Sequence, residues 1–149
     1  MEQINDRRYW VLYKGDKMKK VLLGIFILSQ ISNGAIASWY EKGFEGKTTA
    51  SGYIYNSKQF TCASNVHKFG TVLKVTSKDT GKSVLTVVTD RGSFDKKYGR
   101  NIDLSKRSFA EIDNIHKGLI NVEIEVVDTS KVFRYKHGNP VFNYKNYVN

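Results

Sequence analysis

The sequence predicts a mainly β fold, with many short strands closed into a small barrel and one short helix. Three observations carry this reading. β-branched runs, alternating in the clearest case with a period of two, recur along the second half of the chain and are bounded by turn residues. One proline, 12 glycines, nine tyrosines and eight phenylalanines suit strands and turns better than a helical bundle. Barrel closure also removes the sheet edges that so small a domain could not otherwise cover.

The bounds from composition are narrow. A chain of 149 residues holds at most one ordinary domain. Its 40% hydrophobic and 26% charged residues are globular composition and exclude a disordered chain. A single cysteine, Cys62, excludes an internal disulfide framework and a multi-thiolate metal site. His67, His116 and His137 have no ligand-like spacing, which argues against zinc. No cofactor is expected.

The first segment reads as an export signal. Val21–Leu28 is the one strongly apolar run, too short for a bilayer-spanning helix of about 20 residues. Lys19 and Lys20 precede it and Ala35-Ile36-Ala37 follows it, the layout of a secretory signal peptide cleaved after Ala37. Met18-Lys19-Lys20 resembles a bacterial signal start. Lys14-Gly15-Asp16-Lys17 can be encoded by a purine-rich ribosome-binding sequence. Residues 1–17 are therefore expected to be translated leader and residues 18–37 signal peptide. No cysteine follows the apolar run, so a lipoprotein anchor is not expected. The mature part, from Ser38 on, carries a net charge of +7 against +10 for the whole chain. For an exported protein, such charge points to an anionic wall polymer rather than nucleic acid.

The strands follow in order. Short extended pieces are expected at Ala37–Tyr40, Thr48–Ala50 and Phe60–Ala63. Thr71–Ser77 and Ser83–Thr89 are β-branched runs joined by Lys78-Asp79-Thr80-Gly81-Lys82, a hairpin with turn chemistry. Val84–Val88 is almost wholly apolar, as in a strand covered on both faces. Another extended piece is expected at Ile102–Leu104. Ser105 can cap a helix over Lys106–Asp113 that turns Phe109 and Ile112 inward. After Gly118, Val122, Ile124 and Val126 alternate with Asn121, Glu123 and Glu125 in the clearest strand of all, Leu119–Val127.

Three segments narrow the choice of barrel. Ala37-Ser38-Trp39-Tyr40 precedes Gly46-Lys47-Thr48-Thr49-Ala50-Ser51-Gly52. Thr61-Cys62-Ala63-Ser64 precedes Phe69-Gly70-Thr71. Thr89-Asp90-Arg91-Gly92-Ser93-Phe94 precedes Ile102-Asp103-Leu104-Ser105. In this order and spacing, from about Ala37 to Val127, the chain resembles the rare lipoprotein A family of bacterial lytic transglycosylases. The resemblance implies a six-stranded double-psi β-barrel related to expansins and barwin-like domains, here over residues 38–128. It implies a lyase acting on peptidoglycan glycan strands stripped of stem peptides. Such an enzyme cuts the β-1,4 link from N-acetylmuramic acid to N-acetylglucosamine and leaves a 1,6-anhydro end. The expected partner is the glycan strand, met by a monomer with no stable membrane anchor after signal cleavage.

An internal nucleophile makes a modest inventory sufficient, because no water need be positioned. Position alone reads Asp90, at the end of an apolar strand, as a carboxylate accepting backbone N–H bonds or pairing with Arg91; the resemblance implies instead that it is the catalytic acid and base. Gly92 is expected to leave room for a sugar beside it. Arg91 reads as a structural clamp on a neighbouring carboxylate or carbonyl, and the resemblance makes it a candidate substrate-binding residue as well. Asp103 is open to two readings, a second carboxylate of the site or, as the better fit to its spacing, a charge at a helix start.

The chain departs from the family at Tyr53, where relatives usually carry Glu, and at Asn56, where Asp is common. Ser64 stands where His is frequent and Thr89 where Asn is. Thr49, Asn56 and Ser64 remain candidates for hydrogen bonds to sugar. Tyr40, Tyr53, Tyr55 and Tyr98 are candidate stacking aromatics, whereas Trp39 and Phe69 are expected in the core and Cys62 reads as a small buried hydrophobe. The departures keep a second function open, a non-catalytic expansin-like glycan-binding module. Residues 129–149 form a basic and aromatic tail, expected to pack across the barrel.

Overall fold

The computed structural model describes residues 9–13, 17–21, 32–94 and 99–133, with side chains from Gly34 onward. A two-stranded antiparallel sheet, β1 (Tyr9–Tyr13) and β2 (Lys17–Val21), sets Leu12 opposite Met18. The apolar run beyond Val21 lies outside the described residues.

Six further strands close into a barrel. In chain order they are β3 (Ser32–Trp39), β4 (Thr61–Ala63), β5 (Val72–Ser77), β6 (Ser83–Asp90), β7 (Arg100–Leu104) and β8 (Ile120–Asp128). Around the barrel the order is β3-β7-β4-β6-β5-β8, with β8 pairing back onto β3. β3 with β7 and β4 with β6 run parallel; the remaining neighbours are antiparallel. This is the six-stranded double-psi β-barrel that the sequence led us to expect.

The patterned elements fall where expected. β5 and β6 form the hairpin, with Val75 opposite Val84 and Val72 opposite Val87. Helix α1 (Lys106–Ile112) is capped by Ser105, whose side chain accepts from the Ser108 amide. Phe109 and Ile112 are fully buried and join Leu73, Val75, Val88, Ile102, Leu104 and Val122 in the core. A 3-10 turn (Ile115–Lys117) ends at Gly118, whose φ of 69° suits glycine. Trp39 is half-buried against the core, its indole donating to the Ile115 carbonyl at 3.1 Å.

Three expectations need correction. Leu85 is 39% exposed, so only the second half of β6, Thr86–Thr89, is covered on both faces. Thr48–Ala50 makes only one bridge, Thr48 to Ile54; turns at Gly46 and Gly52, with φ of 76° and 86°, fold it into a tight loop. Finally, β3 begins at Ser32. Ala35 and Ala37 are buried and pair with Val122 and Ile120. β3 thus runs through the segment that the sequence reading assigned to the cleavage site.

The tail is described as far as Phe133. Its ring stacks on Phe69 with centroids 6.0 Å apart, and its amide donates to the Phe69 carbonyl at 3.0 Å. A Cβ on Gly70 would lie 2.3 Å from the Lys131 carbonyl oxygen, so glycine is what lets this segment lie against the barrel.

Candidate active site

Strand register gathers the polar residues. Ala63 on β4 is opposite Asp90 on β6 and also opposite Asp103 on β7, and Asp103 is opposite Ser38 on β3. Four neighbouring strands therefore carry Asp90, Ala63, Asp103 and Ser38 in one row. The register shifts between Cys62 and Ala63, and the two carboxylates flank the small Ala63 at two strand spacings, about 10 Å between backbones, near enough for both charges to act on the Tyr40 phenol.

Asp90 is held by three donors. Oδ2 accepts from the Tyr40 hydroxyl at 2.9 Å, and Oδ1 accepts from the amides of Ala50 and Arg91, both at 2.8 Å. Tyr40 is 6% exposed. Burial, reinforced by the Asp90 charge, pushes its phenol far above the ordinary tyrosine range. It therefore stays a donor, and it orients the carboxylate at every working pH.

Asp103 is handled differently. Burial is the largest influence on its carboxyl and pushes it up, and the Asp90 charge adds to the shift. The Ser38 hydroxyl, donating at 2.9 Å, and the Arg100 charge oppose it without cancelling it. Arg100 reaches Asp103 through Ser38, with Nη1 at 3.3 Å from the serine oxygen. Asp103 lies on β7 rather than in the first turn of α1, where no acidic residue sits. Its expected role as a helix-start charge is thus replaced by a place in the row.

The turn after Asp90 is locked. The Asn65 side chain donates to the Gly92 carbonyl at 2.7 Å and accepts from the Gly92 amide at 3.0 Å. A Cβ on Gly92 would lie 2.4 Å from the Phe94 ring; the space expected for a sugar is filled by that ring. Arg91 is the carbonyl clamp the sequence suggested. Its Nη1 donates to the Ser64 carbonyl and, at 2.9 Å, to the His67 carbonyl, while the guanidinium stacks 4.0 Å from the Phe69 centroid.

The remaining candidates turn mostly inward. Ser64 is buried, its Oγ 2.9 Å from His67 Nδ1. Burial, then the Arg91 charge, lowers the His67 pKa, which favours the neutral ring. Thr49 is buried with its hydroxyl 3.1 Å from that of Ser51. Asn56 accepts from the Lys58 amide at 2.9 Å, an Asx turn. Tyr53, Tyr40 and Tyr55 are 7%, 6% and 4% exposed, so none offers an open stacking face; Tyr40 and Tyr55 stack on each other, centroids 4.4 Å apart. Tyr98 lies outside the described residues. Cys62 is fully buried, its thiol pushed up to about 12 by desolvation.

Four residues escaped the sequence reading. Ser38 and Asn65 are small polar residues whose partners lie 65 and 27 positions away, so spacing holds no signal for them. His67 stands three residues after Ser64, an offset that could have suggested the pair. Phe44 is 44% exposed and meets Tyr40 edge-on, centroids 5.5 Å apart. It is the open aromatic that the tyrosines are not.

Known proteins resemble the chain over its barrel. "Endolytic peptidoglycan transglycosylase RlpA" of Campylobacter jejuni is 42% identical over 92 residues, which are 62% of this chain and 33% of that protein. The protein of that name from Haemophilus influenzae is 40% identical over 103 residues, 69% of this chain and 35% of its own length. The chain thus spans about a third of the length of the curated relatives it matches. Among solved structures, an expansin mutant from Clavibacter michiganensis in complex with cellohexaose superposes with a TM-score of 0.51 at 21% identity, over 64% of this chain and 50% of that one. A Streptomyces papain inhibitor superposes at 0.53 and 20% identity, over 66% and 96%. These two share the fold. Residues 32–124 match the family described as "Lytic transglycolase", and the chain belongs to that family.

Proposed function

We propose that the protein is an exported lytic transglycosylase that cuts the β-1,4 bond from N-acetylmuramic acid to N-acetylglucosamine in peptide-free glycan strands. The observation that carries this reading is the row of Asp90 and Asp103 on the two barrel strands that flank β4, one carboxylate fixed by three donors and the other raised by burial. An export segment then ends before Ser32, since the barrel needs that residue onward.

The chemistry divides between the two groups. Asp103 gives its proton to the leaving glycosidic oxygen as the bond to C1 breaks. The muramyl C6 hydroxyl attacks C1, and its proton passes to Asp90. A 1,6-anhydro ring forms, no water is consumed, and Asp90 returns its proton to Asp103 through solvent. Asp90, to which the sequence reading assigned both steps, keeps the base role.

A second reading has its own support. Ser64, Asn56 and Thr49 are engaged in hydrogen bonds within the protein, which favours an expansin-like module that binds glycan without cutting it. Incubation with naked glycan strands followed by mass analysis separates the two. The enzyme releases fragments lighter by one water than hydrolase products, and Asp90→Asn abolishes them. Retention on glycan with no new chain ends would identify the binding module.

A further inference from the structure

We propose that Phe44 and Lys47 form a subsite that reads the free lactyl carboxylate of a muramic acid residue, beside the Asp90–Asp103 row. The inference rests on the glycan reading above and specifies how a peptide-free strand is told from a substituted one.

The geometry links the subsite to the row. Tyr40 donates its hydroxyl to Asp90 and meets the Phe44 ring edge-on at 5.5 Å, so the buried Tyr40 ring links the exposed Phe44 to the catalytic carboxylate. Lys47 Nζ lies 5.4 Å from the Phe44 centroid. Among the described residues no acidic side chain pairs with Lys47. The nearest acid in sequence, Glu45, accepts from the Ser57 amide at 2.9 Å.

The platform is pre-organised. The Lys47 amide donates to the Phe44 carbonyl at 3.0 Å, the Gly46 amide to the Tyr55 carbonyl at 3.0 Å, and the Tyr55 amide to the Lys47 carbonyl at 2.9 Å. Gly46, at φ 76°, makes the reversal that brings Lys47 back over Phe44. A ring and a cation fixed side by side cost little to order on binding.

The ligand follows from its chemistry. The C–H face of a pyranose stacks on an open aromatic ring. A strand of alternating N-acetylglucosamine and N-acetylmuramic acid is neutral apart from the lactyl group. A stem peptide joined there as an amide removes that charge from beside the sugar, and stripping the peptide restores one carboxylate per muramic acid. Lys47 answers that carboxylate while Phe44 carries the ring.

The test is binding by the full chain carrying Asp90→Asn, so that ligand is not consumed. Its ligands are naked strands, the same strands with lactyl carboxyls converted to methylamides, and chito-oligosaccharides of equal length. Naked strands should bind roughly threefold to tenfold more tightly than the other two, the range of one exposed charged contact. Lys47→Met should erase that preference and its salt dependence, Lys47→Arg should keep it, and Phe44→Ala should weaken all three ligands alike. Equal binding of the three, or a preference that survives Lys47→Met, overturns the subsite and leaves the glycan reading standing. Binding of none overturns both.

Discussion

Asp113 and Asp90 each hold three hydrogen bonds, yet their surroundings lead in opposite directions. Asp113, just after α1, accepts from the Ser77 hydroxyl, the Asn114 amide and the Lys117 ammonium at 2.8, 2.8 and 2.9 Å, and Lys117 also reaches Asp79 at 3.1 Å. Burial alone would push that carboxyl up, but the bonds from Lys117, Asn114 and Ser77 outweigh it and hold it below the ordinary range. Asp90 has donors of the same number but no cation among them, because the Arg91 guanidinium turns to the carbonyls of Ser64 and His67. Its neighbour Asp103 is met by a hydroxyl and raised by burial. A carboxylate closed by a cation serves the fold. A pair whose one cation, Arg100, reaches it only through the Ser38 hydroxyl is left open for chemistry.

Substitution at Asp90 should give the largest effect. Asp90→Asn is isosteric and retains an acceptor, so Tm should move little, while product release should fall by about 100-fold or more, the usual weight of general acid–base catalysis. Fragment release measured beside thermal melting checks both halves. The contrast breaks if activity survives, or if Asp113→Asn costs as much activity as Asp90→Asn.

Substitution at Asp113 should show the reverse. Asp113→Ala removes the acceptor for Ser77, Asn114 and Lys117 and should lower Tm by about 4–8 °C, the response of a domain of this size to roughly 1 kcal/mol. Activity per folded molecule should be unchanged. Its folded pKa is depressed, so its stabilisation is present above the unfolded value and is lost as pH falls through the folded one. The wild-type advantage in Tm should therefore be full at pH 6 and shrink in acid below about pH 4.

The contrast also marks what was legible in the sequence. The β5–β6 hairpin, β8 and α1 were readable because alternation, turn residues and a serine cap act within a few positions. Asp90 was singled out through the family resemblance, since its place at the end of an apolar strand alone suits a structural carboxylate equally well. The start of β3 was not: Gly34-Ala35-Ile36-Ala37 has the small residues of a signal cleavage site, and the same small residues fit a crowded inner strand. Tyr40, Tyr53 and Tyr55 were read as open because they sit near turns, but the loop folds over its own rings and exposes Phe44 instead. Asp103 was misread for a related reason. Adjacent to a helix in sequence, it belongs to β7, and strand register rather than spacing brings it beside Asp90.

The smallest of the three effects tests that register directly. Asp103 has a raised folded pKa, so its stabilising contribution is fully present below the unfolded value near 3.9 and is lost as pH rises through the folded value. Above that folded value its ionised form burdens the barrel. Asp103→Asn keeps an acceptor for the Ser38 hydroxyl and removes the charge. It should raise Tm by about 1–4 °C on the alkaline side of the Asp103 titration, a gain typical of relieving a strained functional site, and the gain should vanish near pH 3. The same variant should lose activity, since an amide has no proton to give the leaving oxygen, and wild-type activity should decline as pH rises through the Asp103 titration. Melting curves and rates measured across pH test both consequences. A loss of Tm on the alkaline side of that titration would assign Asp103 to the company of Asp113 and leave Asp90 without a partner acid.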